Sequence, residues 1–182
     1  MNLEDIIKGC KSNNRKAQEE LYHLYKGVLF SLCLKYCRND AEAEDNLHNS
    51  FIEIFGSIHK YRGAGTFEGW IKRITINKAI NSYKKALQLV PIKDNFTGDT
   101  DVGNEEMNIS ADIILEFVQQ LPDQYRLIFC LYELDDYPHK EIAAMLSISE
   151  STSKSNLHRA KVILQNRIKA IREIDIPQNH GR

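Results

Sequence analysis

Apolar residues return at every third or fourth position along most of this chain, and the pattern lapses once, between Pro91 and Ser110. That spacing lays a stripe along an α-helix, whereas a half-buried strand needs strict alternation, of which no run of useful length occurs. Leu3, Ile6, Ile7 and Cys10 mark a short first helix, and Ala17, Leu21, Leu24, Tyr25, Val28, Leu32 and Tyr36 a longer second. Arg38-Asn39-Asp40 interrupts, with Asp40 placed to cap a third helix whose inner stripe is Leu47, Phe51, Ile54, Phe55 and Ile58. Tyr61-Arg62-Gly63-Ala64-Gly65 reads as a loop with glycines suited to positive φ. Thr66 then caps a fourth helix with Phe67, Ile71, Ile74 and Tyr83 inside. Beyond the lapse the stripe resumes with Ile113, Ile114, Phe117, Val118 and Leu121. Pro122 opens a helix through Tyr125, Leu127, Ile128, Leu131 and Tyr132, and two more helices follow over 138–146 and 150–174. The expected fold is all-α: two small helical domains, 1–90 and 111–176, joined by a flexible acidic linker over 91–110 and trailed by a disordered tail over 177–182.

The same residues narrow the function classes. The opening MNLEDIIKGCKSNN has no basic-then-apolar signal pattern. The tightest apolar stretch, near Leu127 to Leu134, is far short of the roughly 20 residues a bilayer span needs. A cytoplasmic chain without membrane insertion is expected. Cysteines 10, 33, 37 and 130 form no CxxC pair. Cys33 and Cys37 could share a helix face toward a metal, but read better as small buried apolar residues. The six histidines are scattered, with no HExxH and no nucleophile beside a base. No metal, no cofactor and no catalytic residue is expected, and the chain is read as not an enzyme.

Charge is segregated even though 24 Lys and Arg nearly balance 25 Asp and Glu. Asp40, Glu42, Glu44, Asp45 and Glu53 lie together without a cation. Lys72, Arg73, Lys78, Lys84, Lys85 and Lys93 follow without an acid, and Lys154, Arg159, Lys161, Arg167, Lys169 and Arg172 form a second basic run. Two cationic helices in different modules suit two contacts with one polyanion. The acidic stripe suits a separate, basic partner.

The segment from Asp136 to Lys161 has the order of a helix-turn-helix. Pro138 stands at the first turn of its first helix, Ile142, Ala143 and Leu146 face inward, Ser147-Ile148-Ser149 turns, and Ser149 caps the recognition helix. Ser153, Leu157 and Ala160 then face inward. Ser151, Thr152, Lys154, Ser155, His158 and Arg159 are left for a major groove, with Asn156 as a further reader of base edges.

Taken together, these segments resemble the extracytoplasmic-function sigma factors of bacterial RNA polymerase, which carry only sigma regions 2 and 4. The stretch from Asp40 to Phe51 resembles that family's clamp-docking segment, and Phe67 to Lys85, with Trp70, Asn77 and Asn81, its promoter helix. Leu121-Pro122, Glu141-Ile142-Ala143 and Leu157-His158-Arg159-Ala160-Lys161 resemble its −35 module. The chain departs from the family pattern at His48-Asn49 for Gln-Glu, Asn81 for Asp, Tyr83-Lys84 for Arg-Lys, Ser147 for Gly and Ser153 for Val.

The resemblance implies binding to bacterial core RNA polymerase through Asp40, Glu42, Asp45, Phe51 and Glu53, with Phe51 or Phe55 partly exposed. It implies contact with −10 promoter DNA through Tyr61, Arg62, Lys72, Arg73, Asn77, Lys78, Asn81, Lys84 and Lys85, the loop from Tyr61 to Thr66 pocketing a flipped base. It places Ser151, Thr152, Lys154, Ser155, His158 and Arg159 on the −35 element. It also implies an anti-sigma factor as a regulating partner, and a linker that threads toward the RNA exit path. The alternative is a helix-turn-helix regulator that binds its DNA without polymerase.

Overall fold

A computed structural model of the chain describes residues 2–87 and 110–175. The stretch read as a linker, apart from Ser110, and the tail over 177–182 lie outside the described residues. The chain divides into two units, Met1–Val90 and Pro91–Arg182. Among the described residues every regular element is helical.

The first unit holds α1 (Leu3–Lys11), α2 (Arg15–Tyr36), α3 (Asp40–Ser57), a 3₁₀ turn (Ile58–Lys60) and α4 (Phe67–Leu87). Each helix begins where a short polar side chain accepts an orphan backbone N–H: Asn2 from Asp5, Asn14 from Ala17, Asn39 from Glu42 and Thr66 from Gly69. The cap of α3 is therefore Asn39 and not Asp40. Glu42 reciprocates by accepting the Arg38 N–H at 3.1 Å, so the pair encloses the start of the helix from both sides. Leu21, Leu29, Ile54, Ile58 and Ile71 form the dry centre. Gly9 is required where α1 meets α2, because a Cβ there would sit 2.6 Å from the Cβ of Ala17.

A polar seam crosses this core. Asn46 is buried and donates to the Thr75 carbonyl and the Cys33 sulfur, both at 3.3 Å, which pins α3 to α4 and α2. All four cysteines are buried and none forms a disulfide. Burial pushes the Cys33 thiol up to about 11, so it is a packing group and not a nucleophile.

The second unit holds α5 (Ala111–Gln119), α6 (Asp123–Phe129), α7 (His139–Leu146) and α8 (Glu150–Asp175). A π turn over Cys130–Leu134 continues α6, where the sequence pattern predicted an ordinary helix. Pro122 and Pro138 each stand one residue ahead of the helix they open, in the capping position. Leu127, Ile128, Leu131, Ile142 and Val162 fill the centre.

Ser147, between α7 and α8, adopts φ 58° and ψ 44°. A left-handed conformation costs an L-residue about 1–2 kcal/mol, which glycine escapes. Ser147→Gly is therefore expected to stabilise this unit by about 0.5–1 kcal/mol after glycine's entropic cost. Slower amide exchange in α7 and α8 would register the gain; faster exchange would contradict it.

Candidate polymerase and nucleic-acid interfaces

On α3 the buried side is Ala43, Asn46, Ser50, Phe51 and Ile54, which leaves Asp40, Glu44, Asp45, His48, Asn49 and Ile52 outside. Phe51 is not available to a partner: it is 4% exposed, with its ring 4.7 Å from that of Tyr22. The apolar side chain that this face presents is Ile52, at 61% exposure. Its position one residue off the inner stripe, in an otherwise acidic helix, was the available signal. Glu42 belongs largely to the cap and to an ion pair with Arg38 at 3.7 Å. Glu53 turns away from the acids and meets Lys78 of α4 at 2.9 Å. The Lys78 ammonium holds the Glu53 carboxyl below its usual range, but both groups are half-exposed and the pair contributes less than about 1 kcal/mol.

α4 buries Phe67, Ile71, Thr75, Ile76, Ala79, Ile80 and Tyr83. The opposite side carries Arg73, Asn77, Asn81 and Lys85, all exposed, at four-residue spacing, with Lys84 half-buried beside them. Lys72 and Lys78 lie off this row and are already paired, Lys72 with Glu68 at 2.6 Å. The basic run thus contains one coherent cationic row and two ion-pair lysines.

At the head of α4, Tyr61, Phe67 and Trp70 form an aromatic cluster with ring centroids 5.2–5.7 Å apart. Trp70 is half-buried, as is Tyr61, and Arg62 is exposed. The loop between them closes when the Tyr61 hydroxyl donates to the Gly65 carbonyl at 2.9 Å. Gly63 and Gly65 adopt φ of 79° and 81°, the conformation expected of them.

In the second unit, Ser149 caps α8 by accepting the Thr152 N–H at 3.0 Å. Its hydroxyl also bonds those of Ser151 and Thr152, so three hydroxyls gather at the start of the recognition helix. Ser151, Lys154, Ser155 and His158 are exposed, and Thr152 and Arg159 are half-buried. Asn156 is buried at 3% exposure and reads no base.

Cations of this helix find partners from other elements, invisible in a linear charge count. Lys161 meets Glu133 at 2.7 Å, and Arg159 reaches the Tyr125 hydroxyl at 3.3 Å. Arg167 donates to the carbonyls of Phe117 and Gln120. Lys154 pairs along its own helix with Glu150 at 3.0 Å. Near the start of this helix, the side chains left wholly or partly to solvent include the hydroxyl cluster with Lys154, Ser155, His158 and Arg159. Arg126 of α6, which sequence reasoning passed over, is 3% exposed and ties the end of α5 to α6.

Ser153 is fully buried, as its inward position predicts, but its hydroxyl does not turn back on its own helix. It bonds His139 Nδ1 at 2.9 Å, and the His139 ring stacks on Tyr132 at 4.3 Å. Burial and the nearby Lys154 hold the imidazole below its ordinary pKa, against a smaller opposing effect of Glu150. A histidine with a depressed folded pKa binds its proton more tightly when unfolded. Its stabilising effect is present above the unfolded value of about 6.5 and is lost as the pH falls toward the folded value. The second unit is expected to lose stability as the pH falls below the unfolded value of about 6.5, and His139→Gln to flatten that slope. Parallel pH profiles for the two proteins in denaturant unfolding would remove His139 from this role.

Among the described residues no group of three or more His, Cys, Asp or Glu is placed to hold a metal, and no helix is long and apolar enough to cross a membrane.

Comparison with known proteins places these units. Residues 21–87 match the Sigma-70 region 2 model and residues 111–164 the Sigma-70 region 4 model. The ECF RNA polymerase sigma factor SigW of Bacillus subtilis (strain 168) is 26% identical, over 93% of this chain and 98% of its own. The ECF RNA polymerase sigma-E factor of Haemophilus influenzae is 25% identical, over 91% of this chain and 95% of its own. Among solved structures, the sigma factor RpoE of Bartonella quintana, in complex with the anti-sigma factor NepR, shares the fold at a TM-score of 0.54. It is 16% identical, with 83% of this chain and 96% of that chain covered. With both regions present in this order and relatives of one kind matched along almost their whole length, the chain belongs to the sigma-70 family, in its extracytoplasmic-function group.

Proposed function

We propose that this chain is an alternative sigma factor. It binds bacterial core RNA polymerase and directs promoter-specific initiation, through −10 recognition and melting by the first unit and −35 recognition by the second. It supplies sequence preference and strand capture, and the bond-forming chemistry of transcription stays with the polymerase. Its place of work is the cytoplasm, where promoter and polymerase are.

One observation carries this reading. Adjacent helices of the first unit present faces of opposite sign, Asp40, Glu44 and Asp45 with Ile52 on α3, and Arg73, Asn77, Asn81 and Lys85 on α4. A regulator that only bound DNA would have no use for the acidic face. The acids lead along the helix to an exposed apolar Ile52, a mix of charge and apolar contact suited to a protein partner. The cationic row neutralises phosphates while its two asparagines reach bases. In the second unit the hydroxyl cluster, Lys154, Ser155, His158 and Arg159 meet the −35 groove. An anti-sigma factor that covers these faces is the natural regulator, as the solved pairing of RpoE with NepR illustrates.

Gel filtration with sigma-free core polymerase tests the reading. The chain is expected to co-elute, and Glu44→Lys with Asp45→Lys to weaken the complex by about 30-fold or more while helicity is kept. Glu42 is left intact because its reversal would damage the cap of α3. Tight binding to DNA by the chain alone, without co-elution, would favour the regulator.

A further inference from the structure

A groove of about 380 Å³ lies between α1 and the loop after α3, lined by Glu4, Ile7, Lys8, Lys11, Tyr61, Arg62 and Gly63. We propose that it is part of the promoter interface: Lys8 and Arg62 hold a backbone phosphate of the melted single strand beside the Tyr61–Gly65 loop. The inference rests on the sigma-factor reading and extends it to a helix outside the matched region 2, which begins at residue 21.

Tyr61 joins the groove to the aromatic cluster. One part of it packs on Phe67 and Trp70, at 5.2 and 5.5 Å between centroids. Its carbonyl accepts from Lys11 Nζ at 2.8 Å, and the same ammonium lies 5.9 Å from its ring centroid. α1 thereby fixes the loop and brings Lys8, one turn earlier, to the same groove. Arg62 enters from the loop. Both Lys8 and Arg62 are exposed, and neither has an ion-pair partner among the described residues.

Three cations face the single carboxylate of Glu4, so the groove is electropositive. At Gly63 the backbone is open: a Cβ there would meet nothing within 4 Å, and the φ of 79° suits glycine alone. An unstacked nucleotide has an aromatic half and an anionic half. Here an aromatic cluster and a cationic groove share one tyrosine, which matches both halves within one nucleotide. A cationic end of α1 would be explained by the helix dipole alone. The convergence of Arg62 from a different element would not.

The experiment uses holoenzyme, assembled with sigma-free core on a promoter recovered by selection, and a forked template whose −10 non-template strand is single. Lys8→Gln with Arg62→Gln is expected to weaken binding about 10-fold and to lower the slope of log affinity against log salt by about 0.7 for each phosphate no longer neutralised. A methylphosphonate at the contacted phosphate should weaken the wild type and leave this variant unchanged. Glu4→Gln should tighten binding, a gain that misfolding cannot imitate. An unchanged slope for the Lys8/Arg62 variant, beside a reduced slope for Lys84→Ala with Lys85→Ala, overturns the groove and leaves the sigma reading standing. An equal loss on blunt duplex overturns the assignment to the melted strand. Failure of any holoenzyme to form or to hold the fork overturns both readings.

Discussion

Arg126→Ala is expected to cost the second unit about 3–5 kcal/mol, the largest loss from any single charged side chain in it. The guanidinium is almost wholly buried and donates to the carbonyls of Gln119 and Leu121, at 3.1 and 3.0 Å, and to Asp123 at 2.7 Å. Gln119 is the last residue of α5 and Leu121 lies two residues past it, so Arg126 serves carbonyls at the helix end and in the turn that follows. Truncation strands both and leaves the Asp123 carboxylate without its buried partner, so the penalty exceeds that of a cavity. Denaturant unfolding followed by amide exchange in α5 and α8 measures it, and −35-dependent transcription should fall with the unit's stability. A loss below about 1 kcal/mol would mean that water replaces the guanidinium, and the role assigned to Arg126 would fall.

Replacing Arg73, Lys84 and Lys85 together by Ala is expected to reduce promoter affinity of the holoenzyme about 100-fold, on the order of 1 kcal/mol for each phosphate left without its cation. The salt slope should flatten by about 0.7 for each single-strand phosphate released. Lys72→Met with Lys78→Met is the informative contrast. Those lysines carry two charges against the three of the first variant but are already engaged by Glu68 and Glu53, so a change of only a few-fold is expected, far below the two-thirds of the binding loss (in free energy) that charge alone would give. Quantitative footprinting across a salt series separates the two variants. Equal effects would mean that the whole basic run acts as a diffuse charge, and the row on α4 would lose its meaning.

The two expectations differ because position along a helix and position on its surface are different things. The basic run over Lys72 to Lys85 is plain in the sequence, and so is its helical period. That Lys78 is taken up by Glu53 depends on where α3 crosses α4, and nothing local to either helix encodes that crossing. The same holds for Phe51. An aromatic among acids looks like a docking residue, and it is the packing against Tyr22 that buries it while Ile52 stays out. Asn39 in place of Asp40 as the cap of α3 is a smaller displacement, since either side chain can accept the N–H and only the backbone turn chooses.

The sequence by itself determined the helical class, the start of nearly every helix, the glycine loop after Tyr61, the helix-turn-helix with Ser149 at its cap and most of the apolar stripes, of which Leu24, Val28, Ile113, Ile114 and Tyr132 nevertheless stay exposed. Each depends on residues within a few positions of one another: period, caps and turn conformations are short-range physics. Tertiary structure decided which charges are free. It paired Lys161 with Glu133, gave Arg167 and Arg126 to the end of α5, turned Ser153 toward His139, buried Asn156 and widened the end of α6 into a π turn. Those outcomes depend on which group lies across a helix interface. A long cationic side chain meets whatever carbonyl or carboxylate the packing brings within reach, however far away it is in the chain.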